Sequence, residues 1–191
     1  FNVAVGRTAL FSNTTASNLT AVGYQAGYNN TTGIDSVAVG AYALKSNTTA
    51  NSNTAVGYSA LLDNTTGTQN TALGYAAGFN ITTSNDSTAL GANSLFTATS
   101  AASNTAVGSA SMYYTTTGTQ NVAVGVSALQ RNTTSSYNVA MGYQALFVNT
   151  TTGFNTAVGY QAGYNTSGSR NTYVGFGSGS LMTTGANNTI L

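Results

Sequence analysis

The sequence predicts an all-β protein: a parallel β-solenoid or β-roll of eleven 17-residue coils, with residues 1–191 forming a single repeat array. Three observations predict it. The first is a glycine that returns at a fixed interval, at Gly6, Gly23, Gly40, Gly57, Gly74, Gly91, Gly108, Gly125, Gly142, Gly159 and Gly175, with every step 17 residues except the last, which is 16. The second is the stretch before each glycine, where Thr, Val and Ala alternate with the two-residue period of a strand. The third is the absence of an i, i+3, i+4, i+7 apolar stripe in a chain dominated by Thr, Val, Asn and Gly, all poor helix formers.

Numbering each repeat from 1 to 17, with the marker glycine at 5, gives columns that can be taken in order. Position 1 is Asn in most coils, as at Asn2, Asn53, Asn70, Asn104, Asn121, Asn138, Asn155, Asn171 and Asn188. An Asn column of this kind bonds side chain to side chain along a stack. Position 2 is Thr or Val. Position 4 is apolar, from Val5 to Val174, and shares a face with position 2. Position 3 is Ala in ten repeats and Tyr173 in the last; it places a small methyl on the opposite face, where another chain would approach closely. The glycine turns a corner. Positions 6 to 10 read as a second short strand, with aromatic columns at position 6 (Tyr24, Tyr58, Tyr75, Tyr143, Tyr160, Phe176) and position 10 (Phe11, Tyr28, Phe79, Phe96, Tyr113, Phe147, Tyr164). Position 8 is always Ala or Ser. Position 13 reads as Thr throughout, from Thr14 to Thr183, and position 14 as Thr or Ser. Positions 15 to 17 form the return turn. The one deletion is placed between Tyr164 and Asn165, at a junction that can lose a residue cheaply.

The interior of such a coil is thin. Each repeat offers three or four aliphatic side chains at ~1.5–3 kcal/mol each, against ordering 17 residues at ~1.5 kcal/mol apiece, so one coil is unstable without neighbours. Stability is therefore cooperative along the stack, which at about 4.8 Å per coil is roughly 50 Å long.

Composition narrows the function. The acids are Asp35, Asp63 and Asp86, with no Glu; the bases are Arg7, Lys45, Arg131 and Arg170, for a net charge of +1. That is no surface for tracking phosphates, so nucleic acid is not an expected partner. No apolar run of 18 residues exists to span a membrane, and the chain has no Cys, Pro or His. Without His or Cys, general-base and nucleophilic chemistry lack their usual carriers, and Asp35 and Asp86 share a column three coils apart, about 14 Å on this stacking. No catalytic, metal-binding or cofactor-binding residue is expected, so the chain does not read as an enzyme. The G-G-x-G-x-D repeat of calcium-binding rolls is missing. Asn13, Asn30, Asn47, Asn64, Asn132, Asn149 and Asn165 head N-x-S/T sequons in the turn; on a glycosylating secretory route they are candidate sugar sites, while Asn-Thr-Thr is also good turn chemistry. The Thr columns suggest an ice-binding array, and the aromatic columns a glycan-binding stripe.

The stretch Asp35-Ser36-Val37-Ala38-Val39-Gly40 resembles the S-V-A-I-G motif of the YadA-like head domains of trimeric autotransporter adhesins, as do Asn121-Val122-Ala123-Val124-Gly125 and Asn138-Val139-Ala140-Met141-Gly142. The longer Asn155-Thr156-Ala157-Val158-Gly159-Tyr160-Gln161-Ala162-Gly163-Tyr164 is similar to repeats of bacterial and phage tail-fibre proteins. The family's heads mostly use shorter coils, and the extra residues here fall around the Asn-Thr-Thr turn. The resemblance implies a left-handed parallel β-roll assembled as a trimer in a surface fibre or adhesin. The resulting expectation is a structural segment of an extracellular, cell-surface or virion fibre, built from identical copies, with a host-surface or glycan receptor as its outside partner. A self-assembling extracellular filament and an ice- or carbohydrate-binding solenoid are the alternatives. The chain opens one residue before a repeat and stops at the start of a twelfth, as a segment of a longer array does.

Overall fold

The computed structural model describes residues 1–191. It contains twelve short strands and no helix: β1 (Asn2–Val5), β2 (Leu19–Val22), β3 (Val37–Val39), β4 (Thr54–Val56), β5 (Thr71–Leu73), β6 (Thr88–Leu90), β7 (Thr105–Val107), β8 (Val122–Val124), β9 (Val139–Met141), β10 (Thr156–Val158), β11 (Thr172–Val174) and β12 (Thr189–Ile190). They form one parallel sheet in chain order. Register is one repeat per step, as in Ala38↔Ala55 and Ala55↔Ala72. Each 17-mer is therefore one full circuit. At the short coil the register absorbs the deletion, pairing Ala157 with Tyr173.

The strands face the other way from the simplest reading of their composition. The position-3 alanines point inward; Ala55, Ala72, Ala106, Ala123, Ala140 and Ala157 are fully buried. The Thr and Val of positions 2 and 4 point out, with Leu73, Met141, Val158 and Val174 exposed. The cause is width. The core lies between the Ala of position 3, the Ala or Ser of position 8 and the Leu or Met of position 9, and a β-branched side chain on the inner face has no room. The outer face of the sheet is therefore made by positions 2 and 4, and the alanines are not available to another chain.

The second strand expected over positions 6 to 10 does not form. Positions 7 and 9 hold left-handed backbone in coil after coil, as in Ser59 (φ 54°) and Leu61 (φ 50°), and position 17 does too, as in Gln69 (φ 60°). Alternating left-handed residues curl this side into tight turns, closed by bonds such as Ala60 N–H to Gly57 O (3.4 Å) and Asn64 N–H to Leu61 O (3.2 Å). The N–H groups of positions 7, 9 and 11 still bond axially, down the stack for Ser59 (to Ala41 O, 2.9 Å) and up it for Leu61 and Asp63 (to Ala77 O and Phe79 O, both 3.0 Å). Of 125 backbone hydrogen bonds, 23 lie within the strands, and most of the other 102 also join one coil to the next.

The marker glycines stand one over the next. Gly57 has φ 136°, and a Cβ there would enter the carbonyl of Gly74 in the next coil. Position 9 shows a different use. Gly27, Gly78 and Gly163 each follow a coil with Leu at that position, and a Cβ on them would sit 2.8–2.9 Å from Cδ2 of Leu10, Leu61 and Leu146 respectively. The leucine of one coil leans over the glycine of the next, which keeps the core filled.

The deletion sits further on than between Tyr164 and Asn165. Thr166 is buried and bonds its N–H to Gly163 O (3.1 Å), as each position-12 residue does, and Ser167 N–H bonds Thr183 O (3.0 Å) in the pattern of position 13. The lost residue belongs to the 13–14 turn, and the Thr column is interrupted there by Ser167.

Candidate functional site

The polar side chains are used inward and along the axis. At position 1, Asn Oδ1 accepts the backbone N–H of the same position one coil on: Asn104 from Asn121 (2.9 Å), Asn121 from Asn138 (2.9 Å), Asn138 from Asn155 (3.0 Å) and Asn155 from Asn171 (3.0 Å). The same amide donates to the position-15 carbonyl at the end of its own coil, as from Asn53 Nδ2 to Gly67 O (2.8 Å) and Asn70 Nδ2 to Ser84 O (2.7 Å). Direct side-chain bonds along the column, such as Asn138 Nδ2 to Asn121 Oδ1 (3.0 Å), accompany these. The ladder is thus mostly side chain to backbone.

The sequon asparagines form a second internal column. Asn30, Asn47, Asn64, Asn132 and Asn149 are buried, and Asn47 Nδ2 donates to Asn30 Oδ1 (2.7 Å) and to Ala50 O (3.0 Å). A glycan attaches at that nitrogen, so the folded coil offers no site at these five. Asn13 and Asn165 are half-buried, and Asn165, at position 11, donates to Ser180 O (3.1 Å). Ile81, Ala98, Thr115, Thr166 and Met182 interrupt the column. Asn64 Oδ1, facing Ile81, is left without a partner.

The Thr column at position 13 is likewise consumed. Thr14, Thr31, Thr48, Thr65, Thr82, Thr99, Thr116 and Thr133 each donate their hydroxyl to the position-13 carbonyl of the next coil, at 2.8–3.3 Å. Ser167 does the same to Thr183 O. Position 14 is exposed throughout.

Two surfaces remain. One is the outer face of the sheet, with Thr or Val at position 2 and Val, Leu or Met at position 4, and no charged residue in either column. The other is the aromatic side. There the rings stack on one another along the axis: Tyr58 on Tyr75 (centroids 5.5 Å, interplanar 7°), Tyr143 on Tyr160 (5.3 Å, 14°) and Tyr160 on Phe176 (4.9 Å, 7°) at position 6; Phe79 on Phe96 (5.0 Å) and Phe96 on Tyr113 (4.9 Å) at position 10. A shallow groove lined by Tyr42, Lys45, Tyr58, Leu62, Tyr75 and Phe79 separates the columns. Stacking covers ring faces and leaves edges to solvent, which suits a sugar platform poorly because a pyranose packs on a face.

The ionisable groups stay apart. No three His, Cys, Asp or Glu side chains gather in a form able to hold a metal. Asp63 is half-buried, and burial raises its pKa, an effect opposed by the charge of Lys45. Asp35 accepts from Asn18 Nδ2 (2.9 Å). No helix is long and apolar enough to cross a membrane. Comparison with known proteins returned no matching family, no similar curated protein and no similar solved structure.

Proposed function

We propose that this chain is a structural rod within an extracellular or virion surface fibre, assembled side by side from identical copies as a trimer. The observation that carries the reading is the outer sheet face. It presents an uninterrupted apolar column, from Val5 through Leu73 and Met141 to Val174, without a charge in the strand. Twelve strands at ~4.8 Å, most of them three residues long, give a flat patch of about 50 by 10 Å, or about 500 Å², so the flanking turns add to the contact if it is to reach the ~800 Å² per partner of a stable interface. An uncharged, repetitive surface matches itself in every coil without like-charge repulsion. Trimeric assembly and the surface setting rest on the motif resemblance given above. The mechanical role rests on the axial bonding, which makes each coil the template of the next.

Sedimentation equilibrium of the purified chain tests this. The expected mass is three times the 19.2 kDa of one chain. Val56→Lys with Val107→Lys should return it to a single chain while the β signal in circular dichroism persists. A wild-type chain that sediments as a monomer ends the assembly reading.

The same face supports a second reading. Thr20, Thr54, Thr71, Thr88, Thr105, Thr156 and Thr172 alternate with the position-4 apolar residues to make a grid of hydroxyls and methyls, about 4.8 Å apart along the rod and about 6.7 Å across it. Such a grid can order water at an ice surface. Thermal hysteresis in a monomeric preparation would favour it; a trimer without hysteresis would leave the rod.

A further inference from the structure

Tyrosines fall in neighbouring coils in only part of the rod, and their ring geometry sorts them. Tyr58 and Tyr75 stack with centroids 5.5 Å apart and planes within 7°; Tyr143 and Tyr160 stack at 5.3 Å and 14°. All four are exposed, between 44% and 59% of their surface. Stacked rings turn their edges outward, so the phenol oxygen and the adjoining Cε carbons lie at the solvent side of each pair. In-register strands bring the same ring atoms of consecutive coils alongside each other.

We propose that Tyr58–Tyr75 and Tyr143–Tyr160 are sites of oxidative coupling, closing to Cε–Cε dityrosine links that staple one coil to the next. The co-reactant is a one-electron oxidant of the peroxidase class with hydrogen peroxide. Each phenol loses one electron and its hydroxyl proton, giving two phenoxyl radicals. A Cε–Cε bond forms between them, and each ring regains aromaticity as its Cε hydrogen shifts to oxygen. Two electrons and two protons leave per link, and one peroxide takes them up to become two waters.

The geometry separates these pairs from the rest. Parallel rings let the two radical π systems overlap, which edge-on rings do not. Tyr24–Tyr42, Tyr42–Tyr58 and the adjacent Tyr113–Tyr114 meet at 82°, 89° and 67°. Tyr28, Tyr137 and Tyr164 stack on Phe11, Phe154 and Phe147, which cannot form phenoxyl radicals. In a rod with no cysteine, such links are the covalent reinforcement its side chains allow. The inference is independent of the oligomeric state.

The test is brief exposure of the folded chain, at low micromolar concentration, to a haem peroxidase and hydrogen peroxide. Dityrosine fluorescence is read, followed by proteolysis and mass spectrometry. The expected result is links within one chain, joining Tyr58 to Tyr75 and Tyr143 to Tyr160, each product two hydrogens lighter. Tyr75→Phe should remove the first link and Tyr160→Phe the second, each leaving the other in place. The urea-unfolded chain should give a scattered set of links. The proposal is overturned by absence of dityrosine in the folded chain, by links chiefly between separate chains, or by a pattern indistinguishable from that of the unfolded chain.

Discussion

Asn121 Oδ1 accepts the backbone N–H of Asn138, one coil away, at 2.9 Å, while Asn121 Nδ2 donates to Ser135 O, in the turn before Asn138, at the same distance. One buried side chain therefore satisfies two backbone groups, one in the strand column of the next coil and one in the return turn that leads into it. Asn121→Ala should orphan the Asn138 N–H and cost about 2–3 kcal/mol by denaturant unfolding. Asn121→Ser should cost clearly less. Ser36 and Ser87 stand in this column, where Ser36 Oγ accepts Asn53 N–H at 3.1 Å and Ser87 Oγ donates to Ala101 O at 3.2 Å. Equal losses for both substitutions would remove the ladder from the account.

Gly57→Ala is expected to be severe. It places a Cβ at φ 136° against the Gly74 carbonyl, where neither backbone can yield without breaking register. A loss of at least about 3 kcal/mol is expected from strain and overlap together. A near-neutral result in a thermal melt would mean that the coils are spaced more widely than described.

Tyr173 replaces the inward Ala of the eleventh coil and is buried between two position-9 glycines, Gly163 and Gly179. A Cβ on Gly163 would lie 2.7 Å from the ring. Tyr173→Ala alone should cost about 3–5 kcal/mol through the cavity it leaves. Adding Gly163→Leu and Gly179→Leu, which restores the composition of the other coils, should recover much of it. That departure from additivity is the readout.

The pH response should be shallow and of unusual sign. Burial raises the pKa of Asp63 above its ordinary 3.8 in the folded chain. The folded state therefore binds the proton more tightly than the unfolded state, and the stabilisation is fully present below the unfolded value and lost as pH rises through the folded one. Stability should be slightly higher near pH 3 than near pH 7, and Asp63→Asn should raise the pH 7 value and flatten the profile. Urea midpoints across that range check it; a steep acid-induced loss would contradict it.

Much of this fold was legible in the chain. The glycine spacing gave the circuit, and the β-branched alternation gave the strand. The orientation of that strand was harder to read, because Val39 and Val56 look like core residues by hydropathy. The informative signal was the near-invariance of Ala at position 3 and Ala or Ser at position 8, which marks a narrow interior. The turns of positions 6 to 10 carried a weak cue in the glycines Gly27, Gly78, Gly163 and Gly179 at position 9, masked where Leu61 and Ser59 occupy left-handed backbone usually left to Gly or Asn. The sequon asparagines read as surface turn residues. Their replacement by Ile81 and Ala98 in other coils was the sign that the column is internal.

The absence of cysteine allows the most direct test of the assembly. A single spin label at Val107→Cys, on the outer sheet face, should show strong dipolar coupling between subunits, because that face is the proposed contact. The same label at Thr117→Cys, in the exposed position-14 column, should show weak coupling or none. Coupling at residue 117 without coupling at residue 107, or none at either position, would contradict the side-by-side rod.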